Sequence, residues 1–132
     1  MSQENAEVVR RAVGALNERD IDGYLACCTE DVRLFPPTAE IEGAYVGPSG
    51  VRRFFADIQD AGPDFRLEVE RLESIEPGLV LASVRAIASG RTTGIDTDLQ
   101  ITNIYDLDNG KIRRVRVFRD RDAALEAAGL SG

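Results

Sequence analysis

Asn103 and Tyr105 stand two residues apart in LQITNIYDL, the run from Leu99 to Leu107. In an extended strand this spacing puts both side chains on one face, and the other members of that face, Leu99, Ile101 and Leu107, are apolar. An amide and a phenol among apolar neighbours can orient or polarise an oxygen of a bound molecule. They can equally be a buried pair satisfied by each other or by backbone. The chain has no histidine, which removes the usual general base near neutral pH, the commonest metal ligand and the middle member of a Ser-His-Asp arrangement. Acid–base chemistry would then fall to carboxylates, tyrosines or lysine. Tyr24, Phe35, Tyr45, Phe54 and Phe55 are aromatic groups that serve either as core or as pocket wall. With Asn103 and Tyr105, the expected ligand-contacting set is Tyr24, Phe35, Tyr45, Phe55, Val84, Val117 and Arg119.

These residues must be positioned by helices first and strands afterwards. Val8, Val9, Ala12, Val13 and Leu16 recur at helical spacing, which predicts a helix over about 3–18. Asp20 suits the cap of a second short helix burying Ile21, Tyr24, Leu25 and Cys28. Pro36-Pro37 forbids helix, so residues 32–35 read as a short strand. A third helix starts near Pro48 and presents Val51, Phe54, Phe55 and Ile58. After Gly62-Pro63 the pattern alternates, with strands near 65–76, 79–90, 95–107 and 111–119 and turns at Pro77-Gly78, Gly90–Gly94 and Asp108-Asn109-Gly110. In the second of these strands Val80, Ala82, Val84, Ala86 and Ala88 form one small apolar face, with Ser83 and Arg85 opposite. Val115 and Val117 are the apolar set of the last strand. The tail DAALEAAGL reads as a turn or two of helix closing on the sheet or on a partner subunit. Helices followed by long antiparallel strands make an α+β pattern, one domain over residues 1–132.

Composition narrows the function classes. Lys+Arg 16 against Asp+Glu 23 gives a net charge of -7, so nucleic acid and anionic membrane are disfavoured as partners. The alternating arginines of RRVRVFRDRD, Arg113 to Asp122, come with acidic partners and read as an exposed strand face or subunit contact. No apolar run reaches a bilayer's thickness and MSQENAEVVRR lacks the apolar segment of a signal peptide, so a cytoplasmic location is expected. Cys27 and Cys28 are adjacent in a helical pattern, where a disulfide would be strained, and read as reduced packing residues. Metal-ligand spacing and a phosphate-binding glycine loop are both missing, so no cofactor is expected.

Two separated stretches, AVGALNERDIDGYLACCTEDVRLFPPTAEIEGAYVGPSGVRRFF (Ala12–Phe55) and LQITNIYDLDNGKIRRVRVFRDRDAAL (Leu99–Leu125), resemble the nuclear transport factor 2-like superfamily and its SnoaL-like proteins. The resemblance implies a cone-shaped, strongly bent antiparallel sheet wrapped around three N-terminal helices, with an internal apolar cavity. It sets Asn103 where ketosteroid isomerases place an oxyanion-donating aspartic acid. Pro36 falls at the isomerase general base and Ala12 at its oxyanion-hole tyrosine, so neither role survives. The catalytic set of limonene epoxide hydrolases is likewise broken, with Val117, Arg33 and Phe35 at its positions. Arg85 could replace the relay arginine only against its outward phase. SnoaL-type cyclases use an acidic residue in the pocket. Asp96, Asp98 or Asp120 could supply one, though each reads more simply as a solvated carboxylate at a strand end, and Glu42 is a further carboxylate to consider.

Two functions follow with equal weight: an isomerase, cyclase or hydratase-like enzyme acting on an apolar oxygen-bearing substrate, and a noncatalytic binder of an apolar metabolite. A structural interaction domain is the third. Thr102, Ile104, Arg114, Arg116 and Phe118 share the phase opposite the cavity, and their two large apolar groups predict a homodimer through that outer face.

Overall fold

The computed structural model describes residues 2–36, 43–88 and 97–129. Helix α1 (Ser2–Asn17) buries Val9, Ala12, Val13 and Leu16 along the expected stripe. Its end is fixed by two polar side chains. The Asn17 amide donates to the Leu67 carbonyl at 2.9 Å and accepts from the Leu67 N–H at 2.8 Å, pairing with the backbone as a neighbouring strand would. Arg19 sits at φ 60, a left-handed conformation unusual for a residue with a side chain, and its guanidinium donates to the carbonyls of Leu16 and Phe65, both at 2.9 Å. Helix α2 (Ile21–Ala26) starts where Asp20 accepts from the Gly23 N–H at 2.9 Å. A Cβ on Gly23 would stand 2.4 Å from the same carboxylate, so a larger residue there would push the capping group aside.

Strand β1 (Cys28–Phe35) begins earlier than the sequence reading has it. Cys27 caps α2 and Cys28 opens the strand, because the Cys27 carbonyl accepts from the Ile112 N–H at 2.7 Å and Cys28 pairs with Ile112. After the two-residue strand β2 (Tyr45–Val46) comes helix α3 (Gly47–Ala61), then β3 (Arg66–Glu76), β4 (Leu79–Ala88), β5 (Thr97–Asp108), β6 (Lys111–Phe118) and a last helix α4 (Arg121–Ala127). Asn109 and Gly110 both have positive φ, 51 and 77, as the tight β5–β6 hairpin requires. The turn expected over Gly90–Gly94 lies outside the described residues.

The six strands form one sheet in the order β2-β1-β6-β5-β4-β3. It is mixed rather than antiparallel throughout, because β1 and β6 run parallel. Of the four register shifts in the described ladders, two set which residues reach the inner core. Between Val69 and Arg71 the extra residue Glu70 lets Leu67, Val69 and Leu72 all join the inner core. On β6, Leu107 pairs with Ile112 and Asp106 with Arg114, so Arg113 is the extra residue and Ile112 and Val115 both face inward.

The inner face packs on α1, α2 and α3. The outer face carries a second, smaller core in which Leu79, Leu81 and Ile104 meet Ala124 of α4, flanked by Ile75, Phe118 and Leu125. This corrects the ground for a homodimer. Ile104, expected to be wet on a monomer, is 0% exposed, and Phe118 is half-buried beside it, because the chain's own last helix covers them.

Candidate functional site

Asn103 and Tyr105 do face inward together, each 3% exposed. Strand pairing sets their surroundings. Asn103 lies between Ala82 on β4 and Val117 on β6, and Tyr105 between Val80 and Val115. The polar pair is thus framed by small or β-branched apolar residues, as expected of a bent sheet's concave face. Asn103 Nδ2 donates to the Tyr105 hydroxyl at 3.4 Å, a long bond, and Asn103 Oδ1 has no partner and is closed off from solvent. Of the buried polar residues Thr102, Asn103 and Asp106, only Asn103 is on this face.

Tyr24 joins the pair from α2. It is buried, packs edge-on against Phe55 of α3 with ring centroids 5.3 Å apart, and lies near enough to Tyr105 for that phenol to disfavour its ionisation. Burial above all pushes its hydroxyl well above the ordinary phenol value, and burial also raises Tyr105. Both are held as neutral hydrogen-bonding groups. Burial likewise raises the Cys27 thiol and pushes Cys28 up to about 12, so neither is a thiolate at neutral pH. Val84 is fully buried in the same core, paired with Ile101. Tyr45 packs against this core, but its hydroxyl donates to the Asp57 carboxylate at 2.6 Å and Arg53 stacks over its ring, turning its polar end toward the α3 surface.

Other expected site residues are not brought here. Phe35 alternates with the buried Leu34 and shares the outward phase of Arg33; its neighbour on β6 is Arg116. The series Val32, Arg33, Leu34 already carries that phase in the sequence. Arg119 follows the end of β6 with its side chain 90% exposed, beside Asp120. The candidate carboxylates are also elsewhere. Asp98 is exposed on the outer phase and held below the usual carboxylate range by its bonds from Arg85, which Glu68 flanks on its other side. The same contacts confirm that Arg85 points away from the core. Asp120 caps α4, accepting from the Ala123 N–H at 2.8 Å. Asp96 and Glu42 lie outside the described residues. Among the described residues no group of Cys, Asp or Glu converges as a metal site, and no helix is long and apolar enough to cross a membrane.

Clefts elsewhere carry less chemistry. One of about 810 Å³ lies where the start of α1 meets the β3–β4 turn and Asn109-Gly110, without a converging catalytic set. On the outer face the inward-bent β6 presents Arg114 and Arg116 to Asp106, with Arg114 Nε at 3.1 Å and an Arg116 nitrogen at 3.3 Å. This accounts for much of the RRVRVFRDRD run as structural ion pairing, together with Arg121 on Glu73 at 2.8 Å.

The model of the SnoaL-like domain family matches residues 9–115, which include every strand from β1 to β5, most of β6 and the polar pair. The chain belongs to the SnoaL-like domain family. Solved structures agree on the fold. An NTF2-like protein of unknown function from Burkholderia pseudomallei K96243 is 19% identical over 93% of this chain and 95% of its own, with a TM-score of 0.77. TerC, crystallised with polyporic acid, is 20% identical over 93% and 96%, again at 0.77. SalBIII, an epoxide hydrolase/cyclase-like enzyme with a role in pyran ring formation in the polyether salinomycin, is 20% identical over 89% and 92%, at 0.76. Identities this low carry the fold and no activity. Among curated proteins no sequence matches the chain.

Proposed function

We propose that this SnoaL-like domain holds a small apolar molecule carrying an oxygen, between the inner face of the sheet and α2 and α3. The observation that supports it most is the underpaired Asn103–Tyr105 pair, set in a wall that is otherwise apolar. A core selected only for stability gains by replacing such an amide with an aliphatic group, because an orphaned buried acceptor costs about 1–3 kcal/mol. A ligand gives the amide a use. Proteins of the same fold that were co-crystallised with polyporic acid or take part in pyran ring formation make this class of occupant a natural one for the chain.

Of the two forms of this reading, binding without turnover has the better support. None of the described carboxylates reaches the inner face, and Tyr24, Tyr105 and both thiols are kept protonated by burial. An isomerase, cyclase or hydratase form would need a base from outside the described residues, Glu42 or Asp96. The buried, reduced cysteines suit the cytoplasm as the place of action. Native mass spectrometry of protein purified from its own host tests the proposal. A noncovalent apolar adduct that is lost from Asn103→Leu is expected; a protein that carries no adduct and takes up none from a lipid and metabolite extract would overturn it.

A further inference from the structure

We infer that the oxygen held by Asn103 and Tyr105 belongs to a hydroxyl group, that of an apolar alcohol, phenol or enol, and is not a bare carbonyl; the inference rests on the ligand-binding reading above. The hydrogen-bond inventory of the pair leads there. Asn103 Nδ2 spends a hydrogen on the Tyr105 oxygen, which leaves Asn103 Oδ1 as an acceptor with no donor. Tyr105 accepts in that bond, and among the described residues its own hydrogen has no acceptor. The adjoining side chains therefore offer two donors, the Tyr105 hydroxyl hydrogen and the second Nδ2 hydrogen of Asn103, and one unanswered acceptor, Asn103 Oδ1. A hydroxyl answers both kinds at once, accepting from Tyr105 and donating to Asn103 Oδ1, whereas a carbonyl or ether oxygen answers only donors and leaves the amide oxygen orphaned.

The family resemblance puts an oxyanion donor at Asn103, and the observed pairing gives that amide the opposite part, with its oxygen as the group left over. The amide oxygen is closed off from bulk solvent. A ligand reaches it by displacing wall side chains, which couples recognition of the hydroxyl to opening of the inner core.

Titration of the intact protein with 2-naphthol and with 2-methoxynaphthalene separates these possibilities. Both carry an oxygen that can accept from Tyr105, and only the naphthol can donate. Calorimetry is expected to show the naphthol binding at least about tenfold tighter, equivalent to 1.4 kcal/mol. In Asn103→Leu the ratio should fall to about one, within the spread of a lost single hydrogen bond. In Tyr105→Phe both probes should weaken together with the ratio kept, a readout that stands even if Asn103→Leu folds poorly. Equal or reversed affinities in the native chain would mean that the amide presents its nitrogen to the ligand, overturning the hydroxyl inference while leaving the site reading intact. A preference that survives Asn103→Leu would overturn it as well. If neither probe binds, the site reading falls along with this one.

Discussion

The two faces of the sheet treat polar groups in opposite ways. On the outer face the buried Asp106 has Arg114 and Arg116, the half-buried Glu73 has Arg121, and even the exposed Asp98 has Arg85. Beside them α4 seals Leu81 and Ile104. On the inner face a deeper polar pair is left half satisfied in an apolar wall. The outer face also leaves one buried atom without a partner, Arg116 Nε, but that guanidinium still reaches Asp106 through another nitrogen, whereas the inner amide oxygen belongs to a group with a single long bond; this marks the inner face as the one arranged for something besides stability.

Substitutions that break each face should therefore differ in kind. The largest effect is expected from Leu81→Ala, which empties the outer core where Leu81 meets Ile104 and α4; it should cost about 2–5 kcal/mol in urea unfolding and leave ligand affinity unchanged. Asp106→Asn comes next. It leaves two guanidiniums without their carboxylate, at about 1–3 kcal/mol, and again no change in binding is expected. A loss of affinity in either variant would mean that the faces are coupled.

The inner face answers to pH instead. Cys27, Cys28, Tyr24 and Tyr105 are all raised by burial, so the unfolded chain gives up these protons first. Their contribution is complete below the ordinary thiol value of about 9 and is lost as pH rises from there toward the Cys28 value of about 12. Unfolding midpoints should fall steadily over that alkaline range, and a flat profile would show that these groups are more accessible than their burial implies. The smallest effect on stability belongs to Asn103→Leu. Removing the orphaned oxygen offsets loss of the long bond to Tyr105, so unfolding should shift by no more than about 1 kcal/mol while ligand binding collapses.

How far the sequence reached depends on the same contrast. Period-two alternation placed Val80, Ala82, Val84, Asn103 and Tyr105 on one face, and all of them lie there. That logic fails wherever a residue is added to a strand. The extra Arg113 shifts the phase of β6 and hid Ile112 as an inner residue, and the extra Glu70 does the same on β3. The tail was legible as helix, but a short apolar segment reads alike whether it covers its own sheet or a partner, so the burial of Ile104 was not. Phe35 is aromatic like the inner-face residues, but the alternation of Val32, Arg33 and Leu34 turns it outward. Arg119 lies past the last paired residue of its strand, where phase no longer fixes direction.

The most direct test of the inner face as a ligand site is a crystal structure of the protein with the molecule recovered from its own host. The account predicts a ligand oxygen within hydrogen-bond reach of both the Asn103 amide and the Tyr105 hydroxyl, with its apolar body against Tyr24 and Phe55. A ligand seated instead in the cleft beside Glu4 and Asn109, or over the arginines of the outer face, with Asn103 and Tyr105 unchanged, would contradict it.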